Sequence, residues 1–244
     1  MSLIHIIPTL SDNYTYLVEN NSSCAIVDPG EADPVISYLK EKNLTPVAIL
    51  LTHDHLDHYA GVSKIKESYD VKVFGNPGPR FADVDVKLHE GKVFEVVGER
   101  FEVIATPGHT MAHVVLFFPS LGVLFSGDTL FAMGCGRLFE GSPQDMLGSF
   151  KKLKRLPKET KVYAGHEYTK HNLAFARSVE KNNPKISERD ERIRSMSCTM
   201  PFTLQEEFET NPFFRVDSQE IQANMGVSLE TQVFAALRKL RDTF

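Results

Sequence analysis

Up to residue 166 the apolar positions of the chain fall in short runs of strand length between polar turns, and beyond it they recur at helical spacing. Runs at 3–7, 14–19 and 24–27 are parted by Ser11-Asp12-Asn13 and by the polar stretch 20–23, which predicts a meander of strands closed by Asp28-Pro29-Gly30. Asp33 as N-cap with Pro34 at the first helical position opens a helix whose inner face is Val35, Ile36 and Leu39. The run Val47-Ala48-Ile49-Leu50-Leu51 reads as a buried strand, 59–69 as helix, and 71–74 as a further strand. Asn76-Pro77-Gly78-Pro79-Arg80 is loop. The pattern from 93 to 105 predicts a hairpin turning at Val97-Gly98-Glu99, followed by strands at 114–118 and 123–125. Ser142, Pro143 and Asp145 start a helix with the face Met146, Leu147, Phe150 and Leu153, and 162–164 is the last strand.

Beyond it, residues 168–180, 187–196, 203–210 and 228–241 read as helices. Thr203 and Glu206 have capping-box spacing, and Val233, Phe234, Leu237 and Leu240 form an apolar stripe on the last helix. The change of periodicity near residue 167 predicts an α/β domain over 1–166, with two rounds of strands and helices suited to a two-sheet sandwich, and a smaller all-helical domain over 167–244.

Composition sharpens this picture modestly. A chain of 244 residues, 42% hydrophobic and 24% charged, can build a large core and is not globally disordered. A net charge of -5 argues against a nucleic-acid partner. No basic-then-apolar leader and no apolar run of ~18 residues is visible, so no membrane association is expected. Cys24, Cys135 and Cys198 have neither metal-pair spacing nor an even number, which suits free thiols in the cytoplasm. The expected assembly is a monomer or weak homo-oligomer.

The chemistry concentrates in Thr52-His53-Asp54-His55-Leu56-Asp57-His58, where a strand ends and a helix begins. Three other strand ends pair a small residue with a ligand-type one: Gly108-His109, Gly127-Asp128 and Gly165-His166. Imidazole and carboxylate without thiolate suit zinc, iron or manganese. His53, His55, Asp57, His58, His109, Asp128 and His166 together exceed what one tetrahedral zinc accepts, so they point to two divalent ions sharing a carboxylate. His109 or His166 alone would read as an ordinary histidine; the 53–58 cluster has little other reason to exist. His5, His89, His113 and His171 lack such company and read as ordinary residues.

The 52–58 stretch resembles the T-H-x-H-x-D-H signature of the metallo-β-lactamase superfamily. Gly134-Cys135-Gly136-Arg137-Leu138-Phe139-Glu140-Gly141, Gly165-His166-Glu167-Tyr168-Thr169 and the terminal Leu237-Arg238-Lys239-Leu240-Arg241-Asp242-Thr243-Phe244 are similar to stretches of the glyoxalase II (hydroxyacylglutathione hydrolase) family. The resemblance implies an αββα metallo-β-lactamase sandwich followed by a helical substrate-binding domain. It implies one metal on His53, His55 and His109, another on Asp57, His58 and His166, and Asp128 bridging, with zinc foremost. The implied reaction is hydrolysis of S-D-lactoylglutathione and related 2-hydroxyacyl-glutathione thioesters to glutathione and D-lactate, the second step of methylglyoxal detoxification. A hydroxide between two ions ~3.5–4 Å apart would attack the carbonyl, and Asp57 would receive the nucleophile's proton.

Glutathione carries two carboxylates, which suit arginine forks. The resemblance assigns Arg137, Phe139, Tyr168, Arg238 and Arg241 to that substrate. Some family members have tyrosine where this chain has Phe139, which leaves packing as that residue's contribution. Asp54 is expected to point away from the metals. The rival readings are another binuclear hydrolase of the superfamily, such as a lactonase, and a non-catalytic metal- or glutathione-binding module.

Overall fold

The computed structural model describes residues 2–244. They form two compact units: one takes the chain up to Ala105 together with Ala112–Gly127, and the other takes Thr106–Met111 and Asp128–Phe244.

The first unit opens with β1 (Leu3–Thr9), β2 (Asn13–Asn20) and β3 (Ser23–Val27), an antiparallel meander. Then come α1 (Ala32–Lys42), β4 (Thr45–Leu50), α2 (Leu56–Tyr59), α3 (Val62–Ser68), β5 (Lys72–Gly75) and β6 (Val86–Lys87). The sheet runs β1-β2-β3-β4-β5-β6, and from β3 onward its pairs are parallel. Parallel neighbours need crossovers: α1 supplies the one from β3 to β4, α2 and α3 the one from β4 to β5, and the 76–85 loop the one from β5 to β6. Side chains alternate between faces along a strand. Leu17, Ile26, Ile49 and Val73 therefore share one face and pack with Val35, Ile36, Leu39, Val62 and Ile65 of the helices.

A second sheet is the antiparallel run β7 (Val93–Val96), β8 (Glu99–Ala105), β9 (Val114–Phe118) and β10 (Val123–Gly127). Val97 and Gly98 both have positive φ, 49° and 75°, as a tight hairpin turn between right-twisted strands requires. Tyr16 meets Phe125 at 5.5 Å and Phe74 meets Phe94 at 6.2 Å between ring centres, so the two sheets face each other over an aromatic layer.

The second unit contains the hairpin β11 (Leu130–Phe131) and β12 (Gly134–Cys135), then α4 (Pro143–Leu153), β13 (Lys161–Ala164), α5 (Thr169–Val179) and α6 (Pro184–Ile193). It ends with β14 (Phe202–Thr203), α7 (Leu204–Thr210), α8 (Gln219–Met225) and α9 (Glu230–Arg241). Ser142 and Thr203 each close a capping box, with Asp145 and Glu206. Phe150 packs against Phe213, Phe214 and Phe234, which ties α4 to α9. Through that contact the unit takes in residues 128–166 as well as the helices after them.

Several expected boundaries move. The first helix starts at Ala32 with Glu31 as N-cap, so Asp33 lies inside its first turn. The expected helix 59–69 is two short helices broken at Gly61, whose N–H donates to the Pro29 carbonyl at 2.9 Å. A Cβ there would sit 2.7 Å from that oxygen, so only glycine allows the contact. α6 begins at Pro184 because Asn183 caps it. β14, pairing with β13, is a further short strand beyond the one expected to be last, and α8 lies in a stretch to which the sequence pattern assigns no element. Among the described residues no helix is long and apolar enough to cross a membrane.

Candidate metal centre

In the first unit, β4 delivers the chain to Thr52, whose N–H donates to Asp28 Oδ1 at 2.8 Å and whose hydroxyl donates to Asp28 Oδ2 at 2.6 Å. Thr52 Oγ1 also lies 3.0 Å from His53 Nδ1, and His58 Nδ1 lies 3.0 Å from Asp28 Oδ2. With the Thr52 hydrogen committed to Asp28, the hydroxyl oxygen accepts from His53 Nδ1–H, and Asp28 accepts from His58 Nδ1–H. Both rings thereby carry their lone pair on Nε2, the atom a metal would take. The short helix α2 starts after His55, and His58 N–H donates to the His55 carbonyl at 3.0 Å. That turn folds the loop on itself: the His53 ring centre is 4.8 Å from His55 and 4.1 Å from His58. Asp57 accepts from Asn13 Nδ2 at 2.9 Å, and its Oδ2 lies 3.5 Å from His58 Nε2. His113, which the sequence leaves among the ordinary histidines, is buried and stacks on His53 at 4.8 Å.

In the second unit, His109 Nδ1 donates to the Arg137 carbonyl at 2.8 Å. Its Nε2 and that of His166 each lie 3.4 Å from the same oxygen, Asp128 Oδ2. All three side chains are buried. Two imidazole nitrogens thus face one carboxylate oxygen, an arrangement compatible with a shared carboxylate ligand. A Cβ on Gly136 would fall 1.8 Å from the Asp128 carbonyl oxygen and 3.3 Å from His109 Nδ1, so glycine is obligatory beside this group. The Phe139 ring edge meets His109 at 5.3 Å, and Tyr168 stacks on His166 at 4.7 Å. In each unit the donors are imidazole and carboxylate with no thiol, which fits a divalent ion of the zinc, iron or manganese type.

The second unit also holds a cavity of about 200 Å³ lined by Phe131, Cys135, Arg137, Tyr168, Asn172, Arg238, Arg241 and Asp242. Arg238 is 6% exposed and is used on both sides: Nη1 donates to the Cys135 carbonyl at 2.6 Å and Nη2 to Asp242 Oδ1 at 3.0 Å. Arg241 donates to Asn172 Oδ1 at 3.2 Å. Burial and the neighbouring Arg238 push its pKa below the usual guanidinium value, against the opposing pull of Asp242 and Tyr168. Burial pushes the Cys135 thiol up to about 12, so it is inert. Below the cavity, Asn211 Nδ2 donates to the Gly134 carbonyl at 3.0 Å, and Glu207 accepts from the Met133 N–H at 2.8 Å. These contacts fix the β11–β12 hairpin.

Asp54 takes another direction, accepting from the Arg80 N–H at 2.9 Å and so holding the 76–80 loop. Sequence reasoning missed Asp28, Asn13, His113, Asn172 and Asp242. Only Asp28 carried a signal, a carboxylate at the end of a buried strand.

Residues 8–166 match the metallo-beta-lactamase superfamily model, and residues 167–244 match the model of the hydroxyacylglutathione hydrolase C-terminus. A hydroxyacylglutathione hydrolase of Photobacterium profundum is 41% identical over 254 residues, covering 100% of both chains. Among solved structures, the BLEG-1 B3 metallo-beta-lactamase superposes with a TM-score of 0.69 at 26% identity, over 87% of this chain and 99% of that one. A protein described as TTHA1623 in a di-iron-bound form gives a TM-score of 0.63 at 28% identity, over 86% of this chain and 99% of that one. The expected αββα sandwich with a helical C-terminal segment is therefore the fold of this protein. The chain belongs to the hydroxyacylglutathione hydrolase family of the metallo-beta-lactamase superfamily.

Proposed function

We propose that this protein hydrolyses 2-hydroxyacyl-glutathione thioesters, S-D-lactoylglutathione foremost, to glutathione and the 2-hydroxy acid, using two divalent ions. One observation carries the reading: the backbone carbonyl of Arg137 orients His109, while its side chain lines the cationic cavity. Chemistry and anion recognition thus meet in one residue.

His53, His55 and His109 would hold one ion and Asp57, His58 and His166 the other, with Asp128 serving both. Zinc is the first candidate; iron and manganese suit the same donors, and the solved relative in a di-iron-bound form supports a pair. Bound there, the ions would supply an activated water and a Lewis acid for the thioester carbonyl. Asp28 orients His58 directly and His53 through Thr52. Asn13 holds the Asp57 carboxylate, which receives the nucleophile's proton. Arg137 and Arg241 present charge to the glutathione carboxylates, Arg238 forms the wall between them, Tyr168 offers its hydroxyl to the peptide, and Phe139 covers His109. The leaving thiol has a pKa of ~8.5 and departs as thiolate without a strong acid.

Residues 1–166 serve as the catalytic domain and 167–244 as the substrate domain. The assembly proposed is a monomer or weak homo-oligomer. Cys24, Cys135 and Cys198 are unpaired thiols, which fits a reducing cytoplasm. The test is turnover of S-D-lactoylglutathione by purified protein, with elemental analysis of the same sample. Full metal occupancy without thioester hydrolysis would refute the reading, and preferential lactone hydrolysis would replace it.

A further inference from the structure

The turn that joins β11 to β12 is not self-supporting. Leu130 pairs with Cys135 and Phe131 with Gly134, which leaves Ala132 and Met133 as its two central residues. Met133 has a φ of 55°, a left-handed conformation that suits glycine or asparagine better than a long side chain. Two-residue turns that match right-twisted strands have positive φ at the first central position, and Ala132 does not. A residue held this way persists only where its surroundings over-determine it.

The surroundings that do so belong to the helices. Met133 N–H donates to Glu207 Oε2 at 2.8 Å. Asn211, the residue that caps α7, donates from Nδ2 to the same oxygen at 2.7 Å and to the Gly134 carbonyl at 3.0 Å. Asn172 Nδ2, from α5, donates to the Ala132 carbonyl at 3.1 Å. Glu207 is held in turn by Arg189 of α6, whose Nη1 lies 2.7 Å from Oε1, with both side chains buried. The Met133 side chain packs among Leu173, Ala176, Ile186 and Ile193. The contacts from Glu207, Asn211 and Asn172 to the turn all reach backbone groups, so they set the path of the chain. Little slack separates that turn from the ligand end. Asp128 lies two residues before β11, Gly136 N–H donates to the Thr129 carbonyl at 3.2 Å, and a Cβ on Gly136 would meet the Asp128 carbonyl oxygen at 1.8 Å.

We propose that Glu207 is a positioning residue for the ion-binding carboxylate of Asp128. Supported by Asn211 and Arg189, it holds the strained turn, and the hairpin carries that constraint to the ligand. The helices after residue 167 then serve ion binding as well as substrate binding. This inference rests on Asp128 holding the ions as proposed above.

The test reads ion binding, with catalysis as a separate measurement. In wild-type protein, loading with zinc should slow amide exchange at Met133 about tenfold more than at the buried amides of α6, because coupling between the site and the turn is reciprocal. Equal slowing would overturn the assignment without any variant having to fold. Two double variants remove both buried charges and so leave no unpaired ion. Arg189→Leu with Glu207→Leu deprives the Met133 N–H of its acceptor and should lower zinc affinity about tenfold to a hundredfold in a chelator competition. Arg189→Leu with Glu207→Gln keeps an acceptor and should stay near the wild-type affinity. Matching affinities in the two variants would overturn the assignment, because the pair would then serve stability alone. Zinc binding that follows this pattern without thioester hydrolysis would refute the thioesterase reading and leave the positioning role standing. Wild-type protein that binds neither zinc, iron nor manganese would refute both.

Discussion

Asp28 Oδ2 accepts from His58 Nδ1 at 3.0 Å with both side chains enclosed, and the same oxygen takes the Thr52 hydroxyl. One carboxylate thus sets the orientation of two imidazoles. Removing such an outer partner weakens a metal site by about tenfold to a hundredfold. Asp28→Ala should lose that much affinity in a chelator competition, and unchanged affinity would show that His53 and His58 need no such support.

Asp128 faces both His109 and His166 through one oxygen. Asp128→Ala should lower the occupancy of both ions together. Elemental analysis showing a clean loss of one ion, with the other retained, would refute the shared role.

Arg238 and Arg241 lie three residues apart on α9 but are engaged differently. Arg241→Ala should raise KM for the thioester about tenfold and lower the melting temperature less than Arg238→Ala does, since Arg241 is the more exposed of the two. Arg238→Ala should raise KM and also destabilise the fold by about 2–3 kcal/mol, because it leaves the Cys135 carbonyl unpaired and strips the Phe213 face. Equal melting temperatures for the two variants would contradict this division.

Glu180 accepts from Arg215 at 2.7 and 2.8 Å, from Ser218 at 2.6 Å and from Asn183 at 2.9 Å. Burial tends to raise its pKa, but these donors prevail and hold it below the ordinary glutamate value. A depressed carboxyl adds stability that is complete above its unfolded pKa of ~4.3 and disappears as pH falls through the folded value. Glu180→Gln should therefore be less stable than wild type at pH 7, and urea midpoints should converge as the pH is lowered below ~4.3. A gap that stays constant with pH would refute the linkage.

Gly136 leaves no room for a Cβ beside the Asp128 carbonyl. Gly136→Ala should displace that backbone and cut kcat about a hundredfold, as an ångström-scale misplacement of catalytic groups does. Near-normal turnover would mean the segment relaxes without moving Asp128.

Much of this architecture could be read from the chain because it is local. Strand runs, capping boxes at Ser142 and Thr203, and the crowding of ligand-type residues at 53–58 are all visible over a few positions. What escaped depends on distant segments meeting. His113 stacks on His53 because Val114 N–H donates to the Thr52 carbonyl at 2.8 Å, a pairing no spacing rule announces. α8 buries only Ile221, too little for an apolar stripe, and the inner face of α6 includes Arg189, which reads as polar until its buried partner Glu207 is seen. Asp242, one acid among the basic residues that end the last helix, lines a cavity that no local spacing announces.

The β11–β12 hairpin begins two residues after Asp128 and ends two before Arg137. In the site proposed above, its length sets the span from the Asp128 carboxylate to the first guanidinium and so would act as a ruler for the substrate. Lengthening or shortening that ruler by one residue would mismatch every thioester by the same increment, whatever its acyl group, whereas exchanges at the rim of the cavity would sort thioesters by their peptide alone.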